Sequence, residues 1–229
     1  MTAQRSAAAI VAAWAALSMP ASAAELTPET IAAWQRYIVA AEAQLPPPHG
    51  AARPDGIMID VPGGTIHHWR GSTTAHGVTV DHVVRALTHP GTPPPQEEVR
   101  ESRVLARSGD TLRVYIKLER RTIVTIVYDT EHLVTFSRHS SRLATSRSIA
   151  TRIAESAGGD RGFLWRLNSY WRYTQVGNDV RIDVESISLS RDIPRVLRPV
   201  ARPIVTRVAR ESLMRTLESV RERVEAGSR

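Results

Sequence analysis

Three groups of side chains in this sequence are of types that do chemistry: a polar set, Arg147, Glu185 and Ser188; a scatter of histidines; and an aromatic set, Trp165, Trp171 and Tyr173. Arg147 shares its strand parity with Leu143, Thr145, Ile149, Thr151 and Ile153, so it points inward if Ile149 and Ile153 do. A buried guanidinium needs an acidic partner or an anionic ligand, and Glu185 is the candidate partner. The plainer reading sets Arg147 at a strand end with its head in water. Arg147, Glu185 and Ser188 together would be the acid, base or anchoring groups of a cyclase- or hydrolase-type site. His67 and His68 are adjacent on a strand and face opposite ways, so they cannot share one metal ion. His76, His82 and His89 are spaced by six and seven residues, not by the three or four of helical ligand pairs. No G-x-S-x-G, H-E-x-x-H, phosphate-loop or dinucleotide pattern occurs, so nothing asks for a metal or a cofactor.

The aromatic set lies in a stretch that organises the rest of the chain. Residues 163–175 place Trp165, Leu167, Ser169, Trp171 and Tyr173 on one parity and Arg166, Asn168, Arg172 and Thr174 on the other. Period two with bulky groups on one side predicts a half-buried strand. These aromatics are core, or they line a pocket; in a fold built round a cavity the two readings overlap. Gly177-Asn178-Asp179 supplies a turn. The next strand carries Val180, Ile182 and Val184 on one face, and then Ile187 and Leu189 fall on the other. A bulge near Glu185–Ser186 would explain the slip; the alternative is an inner face that turns polar at Ser186 and Ser188. Downstream, Leu213, Leu217, Val220 and Val224 recur at helical spacing, with Arg215, Glu218, Arg221 and Glu222 opposite. Leu213 and Leu217 should lie on the strands' apolar face, near Trp165 and Trp171. Pro199 and Pro203 predict a short helix, a bend, and a main helix from about residue 203.

The elements before this stretch follow in order. Residues 1–23 have the form of a signal peptide: Arg5, an apolar run, then Ala21-Ser22-Ala23 as the cleavage site; an uncleaved anchor is the alternative. A periplasmic or secreted location is therefore expected. The chain has no cysteine, so an exported core must be stable without disulfides. Its formal charge is +7, and Lys117 is the sole lysine among thirty basic residues. Solvated arginine surface accounts for that charge, nucleic acid is not expected as a partner, and weak contact with anionic lipid headgroups is compatible with it. Thr27-Pro28 starts a helix running to about Gln44, and residues 24–56 read as this helix plus a Pro-rich connector. Ile57–Val61 is a short extended piece, Gly64 to Thr74 the first sheet strand, and Val80 to Leu87 a short helix. Strands then follow at 113–120, 123–128, 133–138 and 143–153, six or so in all, before the C-terminal helix. Strand runs closed by a helix indicate α+β.

In this order the chain resembles the START-like, or helix-grip, superfamily, which includes polyketide cyclase-like and lipid-transfer proteins, and looks like its exported bacterial members of no assigned function. The resemblance is carried by Arg-Leu-Asn-Ser-Tyr-Trp-Arg-Tyr at 166–173, Glu-Ser-Ile-Ser-Leu-Ser-Arg-Asp-Ile-Pro at 185–194 and Arg-Glu-Ser-Leu at 210–213, and it covers residues 57–226. It implies a curved antiparallel sheet wrapped round a long C-terminal helix, here with an extra N-terminal helix. It also implies a cavity for a hydrophobic small molecule or lipid, lined by candidates Arg147, Trp165, Trp171, Tyr173, Glu185, Ser188, Leu213 and Leu217. Fold alone assigns no activity.

Overall fold

The structure, a computed structural model, describes residues 26–45, 55–88, 98–121, 125–156, 164–192 and 198–227. The expected leader at 1–23, the proline runs at 46–48 and 93–95, the turn at 158–160, His89 and Pro194 lie outside the described residues. Among the described residues eleven elements follow one another: α1 (Pro28–Glu42), β1 (Asp55–Val61), β2 (Gly64–Ala75), α2 (Val80–Thr88), β3 (Val99–Ser108), β4 (Thr111–Arg121), β5 (Thr125–Ser140), β6 (Leu143–Glu155), β7 (Arg166–Val176), β8 (Asp179–Arg191) and α3 (Arg198–Ala226). The strands form one antiparallel sheet of eight, in the order β1-β2-β8-β7-β6-β5-β4-β3. With α3 on one face and α1 on the other, this is the helix-grip α+β architecture.

Local chemistry explains most element ends. Thr27 caps α1 by accepting from the Thr30 amide, and Pro28 occupies its first turn. Gly177, at φ +60°, makes the two-residue turn that lets Val176 pair with Asp179. Several expectations are corrected. The extended piece at Ile57–Val61 is the edge strand β1, paired along its length with β2. From Thr125 on, the segments expected at 123–128 and 133–138 belong to one long strand, β5, which pairs with β4 from Thr125 to Thr135 and with β6 from Tyr128 to Ser140. The bend expected before residue 203 is absent: α3 starts at Arg198 and carries Pro203 within it. Pro203 removes one backbone bond near the helix start. There Arg198 and Arg202 tie the first turns to Asp60 and Asp192.

Each face of the sheet has its own core. On the inner face, Leu213, Leu217 and Val224 of α3 and Val80, Val83 and Val84 of α2 meet Trp69, Leu112, Phe136, Tyr173, Ile182 and Val184, with Trp171 and Val220 at the margin. The expected apolar stripe of α3 packs on the inner face, in one cluster with Trp171 as read, but not with Trp165, which lies in the other core. On the outer face, Trp34 and Ile38 of α1 meet Ile66, Trp165, Tyr170, Ile187 and Leu189. This second core resolves the slip in β8. Pairing to β2 and to β7 runs one-to-one from Val180 to Leu189, so the strand holds no bulge. The even positions face α3 and the odd positions face α1. Ile187 and Leu189 are apolar because a helix covers them, and the inner face does turn polar at Ser186 and Ser188. Trp165 is corrected by the same fact. It lies just before β7, its amide donates to the Leu189 carbonyl at 2.7 Å, and its indole joins the outer core with α1.

Candidate functional site

The inner face changes character along its strands. Under the C-terminal half of α3 it is apolar. One step away, a rung crosses the sheet as Val134, Ser148, Ser169, Ser186, Trp69 and Gly56. Beyond it on β8 and β2, Ser188 stands opposite His67, which is opposite Met58. Alternation puts these hydroxyls on the side of Trp171 and Val184, facing α3. The N-terminal half of α3 crosses above: Arg202 grips Asp60 at 2.6 Å, and the Thr206 hydroxyl approaches Met58 Sδ at 3.7 Å.

Two buried histidines sit at this polar belt. His67 Nε2 contacts Ser190 Oγ at 2.9 Å, and Arg202 lies close enough to act on the ring electrostatically. Burial first, and Arg202 second, push its pKa down to about 4. His132 is bracketed by Thr130 Oγ1 at 3.0 Å and Ser148 Oγ at 3.3 Å, and burial lowers its pKa to about 4 as well. Both rings are neutral near pH 7. His67 Nδ1 and Trp69 Nε1 are buried with no hydrogen-bond partner among the described residues. Such groups carry a desolvation penalty of roughly 1–3 kcal/mol unless something pairs with them. Tyr173 is different: its hydroxyl is satisfied by Ser146 Oγ at 3.0 Å, and burial pushes its pKa far up. Gly56 makes the belt compact. A Cβ there would lie 2.3 Å from the Trp69 indole, so only glycine lets that ring lie across β1.

The predicted site residues divide between the two faces. Trp171, Tyr173, Ser188, Leu213 and Leu217 are on the α3 side. Arg147, Trp165 and Glu185 are on the α1 side. The expected Arg147–Glu185 pair does not form. Arg147 and Glu185 share one outer-face rung but have Tyr170 between them. Arg147 donates to Glu42 of α1 at 2.6 Å and 3.1 Å, and the Tyr170 hydroxyl donates to the same oxygen at 2.7 Å. Ile149, whose direction Arg147 was expected to share, packs against the outer core, so Arg147 faces that side too. Since Ser188 is on the other face, Arg147, Glu185 and Ser188 do not form one acid–base set.

Glu185 belongs to a relay that local spacing could not announce. Its Oε1 accepts from Arg70 Nε at 3.0 Å and Nη2 at 2.7 Å, and it is in very short contact with His68 Nε2. Tyr37 Oη lies 2.6 Å from His68 Nδ1, edge-on to the ring. Burial would raise the Glu185 pKa, but the hydrogen bonds from His68 and Arg70 outweigh it and hold the carboxyl below its usual range. Burial, reinforced by Glu185 and opposed by Arg70, raises the Tyr37 pKa. The expected opposition of His67 and His68 is what divides them between belt and relay. Among missed residues, His132 was readable from its parity with Val134 and Phe136 on β5, whereas Tyr37 and Arg70 had no signal beyond lying on the right faces of α1 and β2. Among the described residues, no group of three or more His, Asp or Glu side chains could hold a metal ion.

No family model and no curated protein sequence matches the chain. Solved structures do. A protein of Thermus thermophilus superposes with a TM-score of 0.54 at 18% identity, covering 71% of this chain and 99% of its own. A STAR-related lipid transfer protein fragment from Xanthomonas axonopodis gives 0.52 at 16%, covering 74% and 98%. The Zhui aromatase/cyclase of a Streptomyces species gives 0.50 at 12%, covering 72% and 96%. Identities this low establish the fold, which is that of START-like proteins.

Proposed function

On the premise of a START-like helix-grip fold, we propose that this protein binds and carries a hydrophobic small molecule or lipid between the inner sheet face and α3. The observation that carries the reading is the two-part inner face. An apolar floor at Trp171 and Val184, faced by Leu213 and Leu217 of α3, adjoins a belt of Ser169, Ser186 and Ser188, where His67 Nδ1 and Trp69 Nε1 are buried and unpaired among the described residues. The ligand's apolar body takes the floor. Its one polar end accepts from the Trp69 N–H and pairs with His67, which relieves the desolvation of both. The lipid transfer protein and the aromatase/cyclase among the similar structures support a ligand of this class. The sequence of residues 1–23 supports export to the periplasm or beyond.

Any contact with an anionic membrane is weak in this reading. Arg198, Arg202, Arg215 and Arg221 of α3 are held by Asp60, Asp192, Glu98 and Glu218. Native mass spectrometry of protein purified from its own host, followed by organic extraction, tests the proposal. A defined excess mass of lipid or small-molecule size, removed by extraction, is expected. Protein that stays at its bare mass and takes up no added fatty acid or sterol would overturn it.

A further inference from the structure

The opposite face of the sheet holds a second arrangement that ligand carriage does not use. A cleft of about 270 Å3 opens between α1 and the β1–β2 edge, lined by Tyr37, Ala41, Gln44, Ile57, His68 and Arg70 among others. At its wall a half-buried hydroxyl is bonded to an imidazole, and the imidazole to a buried carboxylate. We propose that Tyr37 is an acyl-accepting nucleophile for small uncharged esters that enter this cleft.

The protonation states follow from the contacts. Glu185 is ionised, so it accepts, and the proton on the His68 ring belongs on Nε2. With Nε2–H given to the carboxylate, Nδ1 is the accepting nitrogen of the ring in this arrangement, and the Tyr37 O–H donates to it. That leaves the phenol's lone pairs free to meet a ligand. A hydroxyl bonded to a base, with the base oriented by a third group, is the arrangement that activates a weak nucleophile. Glu185 is fixed from its other side by Arg70, whose Nε and Nη2 both bond Oε1. Arg70 also lines the cleft, where its guanidinium can polarise a carbonyl oxygen. α1 does not depend on Tyr37 as its polar latch to the sheet. Glu42 with Arg147 and Tyr170 already supplies that latch.

The step balances with water as the only co-reactant. Tyr37 Oη bonds to the ester carbonyl carbon while its proton passes to His68 Nδ1. The ester C–O bond then breaks, and the departing alcohol takes that proton. Water next adds to the tyrosyl ester with His68 again receiving a proton, the acid is released, and the phenol is restored. Tyr115 is an internal comparison. Its hydroxyl donates at 2.5 Å directly to the Asp129 carboxylate, which with burial pushes its pKa up to about 12, and it has no imidazole behind it.

The test uses the full chain and p-nitrophenyl acetate. Release of p-nitrophenolate is followed in a stopped-flow instrument, and the acetylated residue is located by peptide mass mapping. We expect a burst of about one equivalent and an acetyl group on Tyr37, both lost in Tyr37→Phe. The acylation rate should not follow ionisation of the phenol, which lies at or above about 10, because the His68 ring takes the proton during the step. Glu185→Gln should slow acylation about a hundredfold with Tyr37 intact. If that variant does not fold, the pH profile of the parent protein decides. Acetyl groups found equally on Tyr115 or Lys117, a burst that survives Tyr37→Phe, or a rate that follows phenol ionisation would each overturn the proposal.

Discussion

Acidification should destabilise this protein well before its carboxylates protonate, through two buried imidazoles. His67 and His132 are 7% and 4% exposed, and both are held neutral with pKa values near about 4. In the unfolded chain each would titrate near about 6.5. The folded value is the lower one, so the unfolded state binds protons first as pH falls. The stability these groups leave intact above pH 6.5 is therefore lost between about 6.5 and 4. At about pH 5 the unfolded imidazole is almost fully charged while the folded one is not, which removes about 2 kcal/mol per histidine and about 4 kcal/mol for the pair. Asp129, Asp179 and Glu185 are all held below the ordinary carboxylate range, so their contributions fade only at lower pH. The assay is urea unfolding followed by tryptophan fluorescence near pH 7.5, 6 and 5. His132→Gln isolates one titration while leaving an amide to bond Thr130 and Ser148. The variant should lose about 2 kcal/mol less than the parent over the same interval. Equal losses in parent and variant, or a parent whose stability is flat to pH 5, would refute the reasoning.

Three further outcomes can be measured on single variants. Leu217→Ala, at a position 2% exposed in the α3 stripe, should cost about 2–5 kcal/mol in urea unfolding, while Arg221→Ala on the polar side should change stability by no more than about 0.5 kcal/mol. Gly56→Ala should cost about 1–3 kcal/mol because the Trp69 indole must move, with a shift in tryptophan emission as the marker. Glu42→Gln should weaken the hold of Arg147 and Tyr170 on α1 by about 1 kcal/mol, seen as faster amide exchange in α1 with β7 and β8 unchanged.

Elements governed by one face or by local capping were legible in the sequence. Thr27-Pro28 and the 213–217–220–224 stripe each met a single environment, and β7 kept its alternation because Arg166, Asn168, Arg172 and Thr174 leave its outer parity mostly polar although Tyr170 packs against α1. Strand β8 hid its pattern because it is covered on both faces, and a two-sided strand has no polar parity to read. Trp165 misled for a neighbouring reason: the chain turns just before β7, and parity counted from inside the strand no longer applies. Partners were the least legible. Tyr37 reaches His68 across 31 positions and His68 reaches Glu185 across 117, and no local spacing encodes such pairs. Arg147 shows the same limit, since the carboxylate that holds it comes from α1, 105 positions earlier.

Ligand carriage on the α3 side is tested most directly by photocrosslinking with a diazirine-bearing fatty acid, followed by peptide mapping. Saturable labels should fall on inner-face positions such as Trp171, Ser186, Ser188 and the Leu213–Leu217 turn of α3, and an unlabelled fatty acid should compete them away. Labels confined to α1 and the outer face, or labelling that never saturates, would contradict it.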